Sequence, residues 1–430
     1  MGGDHAGDRC ALSGCGEATG TWRVCDEVMD ALCRGRGRDR LAHLPEVDPA
    51  TTDAFLTARG RERRALLRAG AVSGLWAAAG RLFSSVARAD PLARPTQLFA
   101  AGEGKVHTVP SSEKTVRLGV IDSTLPDILQ IEPGDTILYP NTWSHFLNRL
   151  QPGTTIEVLA NLRVANPGKG PHSIIGPVAV KGAEPGDALE IQFVRVQPVG
   201  WAANFNNPGS LGTGALADVF AEGQVRYFTL DWEKRTTAFS DDIHLALSPF
   251  QGTIGVSPPD GFFGATGGVV SSVPPGPHGG NMDLREMGEG SRLYLPVWKP
   301  GARIFTGDSH ALQGDGEVNL TALETAMKEL RIRVLLHKNA GLSWPFVETG
   351  THWIALGMDK DLGVAHRIAL LNAIDFLSRR AGLTRLDAYA LSSIAVSFRV
   401  TQVVDINKGV HAMIPKSIFS ASRARTLTVV

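Results

Sequence analysis

The segment Gly307-Asp308-Ser309-His310-Ala311-Leu312-Gln313-Gly314-Asp315-Gly316-Glu317 holds more polar side chains than a packed strand or turn needs. In an extended chain, residues two apart project to the same side. Asp308 and His310 then face one way, and Asp315 and Glu317 form a similar pair past the bend at Gly314. Carboxylate and imidazole are the ligand set for Zn²⁺ and related divalent ions. They are also the groups of general acid–base work. The glycines let the backbone bend so that both pairs converge. Other readings stand beside this one. Asp-Gly and Gly-Asp are ordinary turn dipeptides, and Asp315 can simply cap the bend at Gly316. Gly307–Ala311 also brushes against the G-x-S-x-G elbow of serine hydrolases, but it ends in Ala and lacks a strand–elbow–helix context.

Two further segments concentrate polar groups. Gly170-Pro171-His172-Ser173 places a histidine ahead of a short apolar run, and Gly279-Gly280-Asn281-Met282-Asp283 follows a turn. His145, flanked by Trp143 and Phe146, reads as a pocket wall or a packed residue. His278 is read as facing a site or as solvated, and His352 and His411 as packed or surface groups.

The elements that must position these residues are mostly strands. Gly (48) and Pro (25) are plentiful in the 430 residues, which suits short strands joined by tight turns. Thr115–Ile121, Ile156–Val164, Ala188–Val199 and Ser291–Val297 read as strands from their apolar patterning. Glu-Pro-Gly-Asp occurs at Glu132–Asp135 and again at Glu184–Asp187, each time as a turn that launches a strand. Helices come late. Asp361 caps a helix running to about Arg380, with Gly382 as its stop, and Thr384 with Asp387 opens a second. Phe398–Val404 returns to a strand. The reading is an α+β, β-rich chain: a β-sandwich-like region over residues 100–300, joined to a mixed α+β region over 301–420.

Lys+Arg and Asp+Glu both number 43. This balance offers no electrostatic reason to expect nucleic acid or an anionic membrane as partner. The four cysteines, Cys10, Cys15, Cys25 and Cys33, lie in a 1–60 extension and have no C-x-x-C spacing. The remainder therefore has no thiol for catalysis. Residues 61–89 carry Arg63-Arg64, a weakly apolar stretch and Ala87-Arg88-Ala89, the three parts of a twin-arginine-type export signal. The expectation is a periplasmic or extracellular protein, with an amphipathic helix and a cytoplasmic protein as the other reading.

Ordered phrases along residues 105–420 resemble the acetamidase/formamidase family. They are HTVPSSEKTVRLG (107–119), IIGPVAVKGAEPGDALEI (174–191), GGNMD (279–283), LYLPV (293–297), GDSHALQGDGEV (307–318) and VTQVVDINKGVHAMIPKSIF (400–419). The resemblance implies a sandwich-like fold, hydrolysis of a short linear amide to acid and ammonia, and a metal, with zinc named first. His172, Asn281, Asp283, Asp308, His310, Gln313, Asp315, Glu317 and Glu324 fall at matching positions. Arg117-Leu118-Gly119 departs from the family's His-Trp-Gly, although Asp122 keeps its place.

The expected mechanism assigns a divalent ion to some of His172, Asp283, Asp308 and His310. Glu317 or Asp315, with Glu324 nearby, handles the proton, and Asn281 or Gln313 donates to the oxyanion. The alternatives are a lactam hydrolase of the same family, or an exported β-sandwich that binds a small ligand without turnover. A homo-oligomer is left open.

Overall fold

Alternation along the strands sorts side chains onto the two faces of a nine-stranded sheet. It runs, in the computed structural model, Val106–Thr108, Thr136–Pro140, Met327–His337, Ala188–Pro198, Arg292–Pro296, Phe346–Glu348, His352–Asp359, Lys408–Pro415, Ser397–Val400. The structure describes residues 104–264 and 268–430, so the cysteine extension and the export-like segment lie outside it. Leu293, Leu295, Ile354, Leu356 and Met413 point into a core shared with a second sheet. Their neighbours Tyr294, Trp353, Ala355, Ala412 and Ile414 point the other way, onto the late helices. Period-two patterning thus produces two cores from one sheet. Each fully buried aliphatic side chain contributes about 1.5–3 kcal/mol.

The second sheet runs Gly279–Asn281, Phe250–Gly255, Ile304–His310, Glu324–Thr325, Trp201–Asn206, Gln224–Thr229. Strand Ser173–Val180 also pairs with Ile304–His310, and carries Val116–Leu118 and Leu129–Ile131 on its other side. Sheet on sheet, with helices covering part of one face, is the β-rich α+β arrangement expected. Each sheet contains strands from both sides of residue 300.

Local signals place several elements where they were read. Helix Leu362–Arg379 starts at Asp361, whose Oδ1 accepts from Val364 N at 2.9 Å. Helix Arg385–Ala395 follows Thr384, which accepts from Asp387 N and donates to its carboxylate. Both Glu-Pro-Gly-Asp copies form turns, with Gly134 and Gly186 at φ 99° and 95°.

Three readings need correction. Ile156–Val164 is a helix, not a strand. Ile156, Leu159 and Leu162 recur at helical spacing and pack against Phe146, Leu150 and Phe205, leaving Val158 and Val164 exposed. Thr115–Ile121 is two short strands broken at Gly119. Gly119 has φ 63°, and a Cβ there would lie 2.1 Å from the Gly170 carbonyl. The strand predicted over Phe398–Val404 ends at Val400. Gln402 captures Val404 N and Asp405 N through its Oε1, so local bonds replace the sheet ladder.

Candidate functional site

Several separate pieces of backbone at one end of the second sheet deliver the side chains of the candidate site. Asp308 and His310 come from strand Ile304–His310. Antiparallel register sets Glu324 opposite His310, and sets Thr253 opposite both Asn281 and Gly307. Asp283 follows strand Gly279–Asn281. His172 precedes strand Ser173–Val180 and is held by its carbonyl accepting from Gly119 N at 2.8 Å. His145 sits before three left-handed residues, Phe146, Leu147 and Asn148. Glu317 comes from the loop after strand Ile304–His310, and Asp405 from the loop that Gln402 bends.

The imidazoles surround Asp308. Its Oδ1 lies 3.2 Å from His310 Nε2 and 3.3 Å from His145 Nε2, and its Oδ2 lies 3.8 Å from His172 Nε2. Glu324 Oε2 lies 3.1 Å from His310 Nε2 and 3.5 Å from His145 Nδ1, while Oε1 accepts from Ala322 N. Asp283 Oδ1 faces His310 Nδ1 at 3.8 Å. All of these side chains are buried. Three of the carboxylate residues, Asp283, Asp308 and Glu317, have positive φ of 49°, 56° and 47°. For a non-glycine residue such a conformation costs on the order of 1–3 kcal/mol and collects at functional sites.

Electrostatics divides the cluster. Burial raises the Asp308 carboxyl, but the charge of His310 and hydrogen bonding from His145 and His310 outweigh it and hold it well below the usual range. Burial would lower His310, yet Glu324 and Asp308 drive it well above an ordinary imidazole. Burial brings His172 down to about 3, which keeps it neutral. Burial and then the Asp308 charge push Asp283 up to about 7. Glu317 and Asp405 are raised well above normal by burial and then by Asp283. An ionised carboxylate among imidazoles therefore sits beside carboxyls that hold protons near neutral pH, the separation that acid–base chemistry requires.

The donor set suits a divalent cation. Ligand atoms of His145–His172–Asp308, Asp283–Asp308–His310, His310–Glu317–Glu324 and Asp283–Glu317–Asp405 lie within 4.8 Å of one another in each group. Asp283 Oδ1, Glu317 Oε2, Asp405 Oδ2 and His310 Nδ1 are buried with no hydrogen-bond partner among the described residues. Buried, crowded and unsatisfied carboxylate oxygens are costly unless a cation neutralises them.

Of the residues singled out from sequence, His172, Asn281, Asp283, Asp308, His310, Glu317 and Glu324 line or adjoin one cleft. Two behave differently. Gln313 Nε2 donates to the Asp283 carbonyl at 2.8 Å, so it positions Asp283 rather than facing the cleft. Asp315 is turned outward, towards Arg399 and Glu286, and is not a partner of Glu317. The Gly314 turn separates the pair, because Glu317 takes a left-handed conformation and Asp315 stays at the surface. Ser309 hydrogen-bonds Gln251 and His278 is buried against Phe262, so neither joins the cluster. Arg117 and Asp122 make local backbone contacts instead.

Sequence reasoning missed three members. His145 was read as wall or packing, but it contacts both Asp308 and Glu324. Asp405 lies one residue past the strand predicted over Phe398–Val404; the polar residues Gln402, Asp405 and Asn407 are the available signal. Thr253, whose hydroxyl donates to Asn281 Oδ1, had no signal in its neighbourhood.

A family model described as Acetamidase/Formamidase family matches residues 124–266 and 263–421. A formamidase of Methylophilus methylotrophus is 26% identical over 313 residues, 58% of this chain and 77% of that protein. The crystal structure of an acetamidase from Yersinia enterocolitica superposes with a TM-score of 0.65 at 31% identity, covering 75% of this chain and 95% of the other. An acetamidase structure from Bacillus halodurans gives a TM-score of 0.63 at 27% identity, covering 72% and 98%.

Proposed function

The chain belongs to the acetamidase/formamidase family, and from that premise we propose how its buried cluster cleaves a carbon–nitrogen bond. It is an amidase acting on non-peptide C–N bonds of linear amides. The substrate in this reading is a small formamide- or acetamide-like amide, released as carboxylic acid and ammonia. The observation that carries it is the cluster itself. Ionised Asp308, three imidazoles and proton-holding carboxyls meet at a cleft walled by Phe146, Phe205, Val273 and Leu320. Apolar walls with a few convergent polar groups suit a small uncharged substrate.

A divalent metal, zinc by donor chemistry, is part of the proposal. Asp308 would hold it with His145 and His172, or with Asp283 and His310. When bound, such an ion supplies Lewis acidity, polarising a carbonyl and making water a better nucleophile near neutral pH. The remaining work falls to the chain. Water adds to the amide carbon, and Glu317 or Asp283, which a bound cation's charge would keep ionised, accepts its proton. The same carboxyl returns that proton to the departing nitrogen as the C–N bond breaks. Asn281 has its Oδ1 occupied by Thr253, which leaves its amide N–H groups to donate to the developing oxyanion. Gln313 keeps Asp283 in register from behind.

The test is hydrolysis of formamide, acetamide, longer linear amides, urea and lactams, read as ammonia for all but the lactams and as the ring-opened amino acid for those, with Asp308→Asn as control. Turnover of short linear amides that disappears in the variant supports the reading. Turnover confined to lactams moves the substrate class. No product from any of them leaves a binding protein. Export through residues 61–89 belongs to the same proposal. Replacing Arg63 and Arg64 by Lys is expected to trap precursor inside the cell, and an unmodified protein found uncleaved in the cytoplasm excludes it. Among the described residues no helix is long and apolar enough to cross a membrane.

A further inference from the structure

A second group of metal-competent side chains lies outside the cleft. Glu286, Asp315 and His411 each offer one ligand atom, and these atoms lie within 4.8 Å of one another. His411 is fully buried. Its Nδ1 is fixed 2.8 Å from Thr401 Oγ1. Its Nε2 is aimed at Glu286 Oε2 across 3.9 Å, too far for a hydrogen bond, and neither atom has a hydrogen-bond partner. Burial lowers the imidazole to about 3, so it is neutral, the form that ligates metals. Burial and then the Asp315 charge raise Glu286, as expected of two acids pressed together. In the tautomer whose Nδ1–H donates to Thr401, a nitrogen lone pair faces a carboxylate oxygen. A cation turns that repulsion into attraction.

The position of the group in the fold gives it a purpose. Glu286 stands three residues after Asp283, and Asp315 two residues before Glu317. His411 faces Arg399 across paired strands, and Thr401, its hydrogen-bond partner, opens the loop that carries Asp405. Gly316 N donates to the Thr401 carbonyl at 3.0 Å, closing the triangle between these segments.

We propose that Glu286, Asp315 and His411 form a second divalent-cation site, separate from the catalytic cluster, that ties together the three segments delivering Asp283, Glu317 and Asp405. One imidazole with two carboxylates suits Mn²⁺, Zn²⁺ or Co²⁺ and leaves positions for water. The side chains of Asp315 and Glu286 are 31% and 15% exposed, so an ion enters from solvent. The Arg399 guanidinium, 3.7 Å from Glu286 and 3.8 Å from Asp315, is the competing positive charge. It is partly exposed and free to swing outward when an ion binds. The site does not depend on the amidase reading.

The test uses the full-length protein stripped of metal and titrated with Mn²⁺ alone, with free Mn²⁺ counted by electron paramagnetic resonance. Manganese is chosen because its preference for oxygen and nitrogen keeps the N-terminal thiols out of the count. Wild-type protein is expected to bind one more equivalent than Asp315→Asn or Glu286→Gln, or to bind it at least about tenfold more tightly. A tenfold difference corresponds to about 1.4 kcal/mol. Asp308→Asn is expected to retain this equivalent, and Arg399→Gln to bind it more tightly. Melting of the metal-free variants checks folding, and Mn²⁺ is expected to raise the melting temperature of wild type more than that of Asp315→Asn. Identical Mn²⁺ binding by wild type, Asp315→Asn and Glu286→Gln overturns the proposal, as does loss of the equivalent in Asp308→Asn alone.

Discussion

Asp135 and Asp187, at the two Glu-Pro-Gly-Asp turns, expose as little surface as Asp283, Glu317 and Asp405 in the cleft, but they lie close beneath the surface while the cleft acids are deep. Their circumstances are opposite. Asp135 accepts from Lys105 N and His107 Nε2 at 2.8 Å and from Glu132 N at 3.1 Å. Asp187 accepts from Lys338 Nζ at 2.6 Å, Glu184 N at 2.8 Å and Asn339 N at 2.9 Å. Burial alone would raise both, but hydrogen bonds from His107 and Lys338 and from the backbone lower them. The cleft carboxyls have few such donors and are raised. Low exposure by itself therefore does not mark a functional acid; deep burial with unsatisfied oxygens does.

The largest effect that tests this comparison is chelation. Amide hydrolysis is expected to fall to background in metal-stripped protein and to return with a divalent ion, measured as ammonia release. Full activity without metal would put the cleft carboxyls to work directly. Next comes His310→Ala, expected to lower turnover on the order of 10³-fold and bound metal with it. A packed imidazole would instead cost about 1–3 kcal/mol of stability and leave turnover per folded molecule unchanged. Melting, metal content and kcat on one variant separate the two.

The turn acids should behave in reverse. Asp187→Asn is expected to cost about 1–3 kcal/mol of stability, with kcat per folded molecule untouched. The sign of its pH dependence follows from a folded pKa below the ordinary 3.8. Its contribution is present above that value and is lost as pH falls through the lowered one. The gap in melting temperature between wild type and variant should be full at neutral pH and close in acid. A constant gap at every pH would contradict the linkage. His107→Gln is the smallest effect. It touches one partly exposed partner of Asp135, and a shift under about 1 kcal/mol in denaturant melts is expected. A larger loss would mean that the turn depends on this pair rather than on its backbone donors.

Much of the fold was legible because its signals are local. The Asp361 and Thr384 caps, both turns and the long strand beginning at Ala188 each depend on neighbours within a few residues. Ile156–Val164 misled because a short apolar segment carries both periods, and only packing onto Phe146 and Phe205 chose the helical one.

By itself the sequence determined which side chains are available and how they are grouped: Asp308 with His310, Asn281 with Asp283, His172 at the head of its strand. Those groupings lie within a few residues of chain, where geometry follows from backbone period. Only the tertiary structure decided which of them meet. Glu324 faces His310 through antiparallel register, Asp405 arrives on a loop bent by Gln402, and Asp315 turns away from Glu317 to Glu286 and His411. It also decided their charge. Whether a carboxyl is lowered like Asp187 or raised like Asp283 depends on donors and charges a few ångströms away in space, and many of these are far away along the chain.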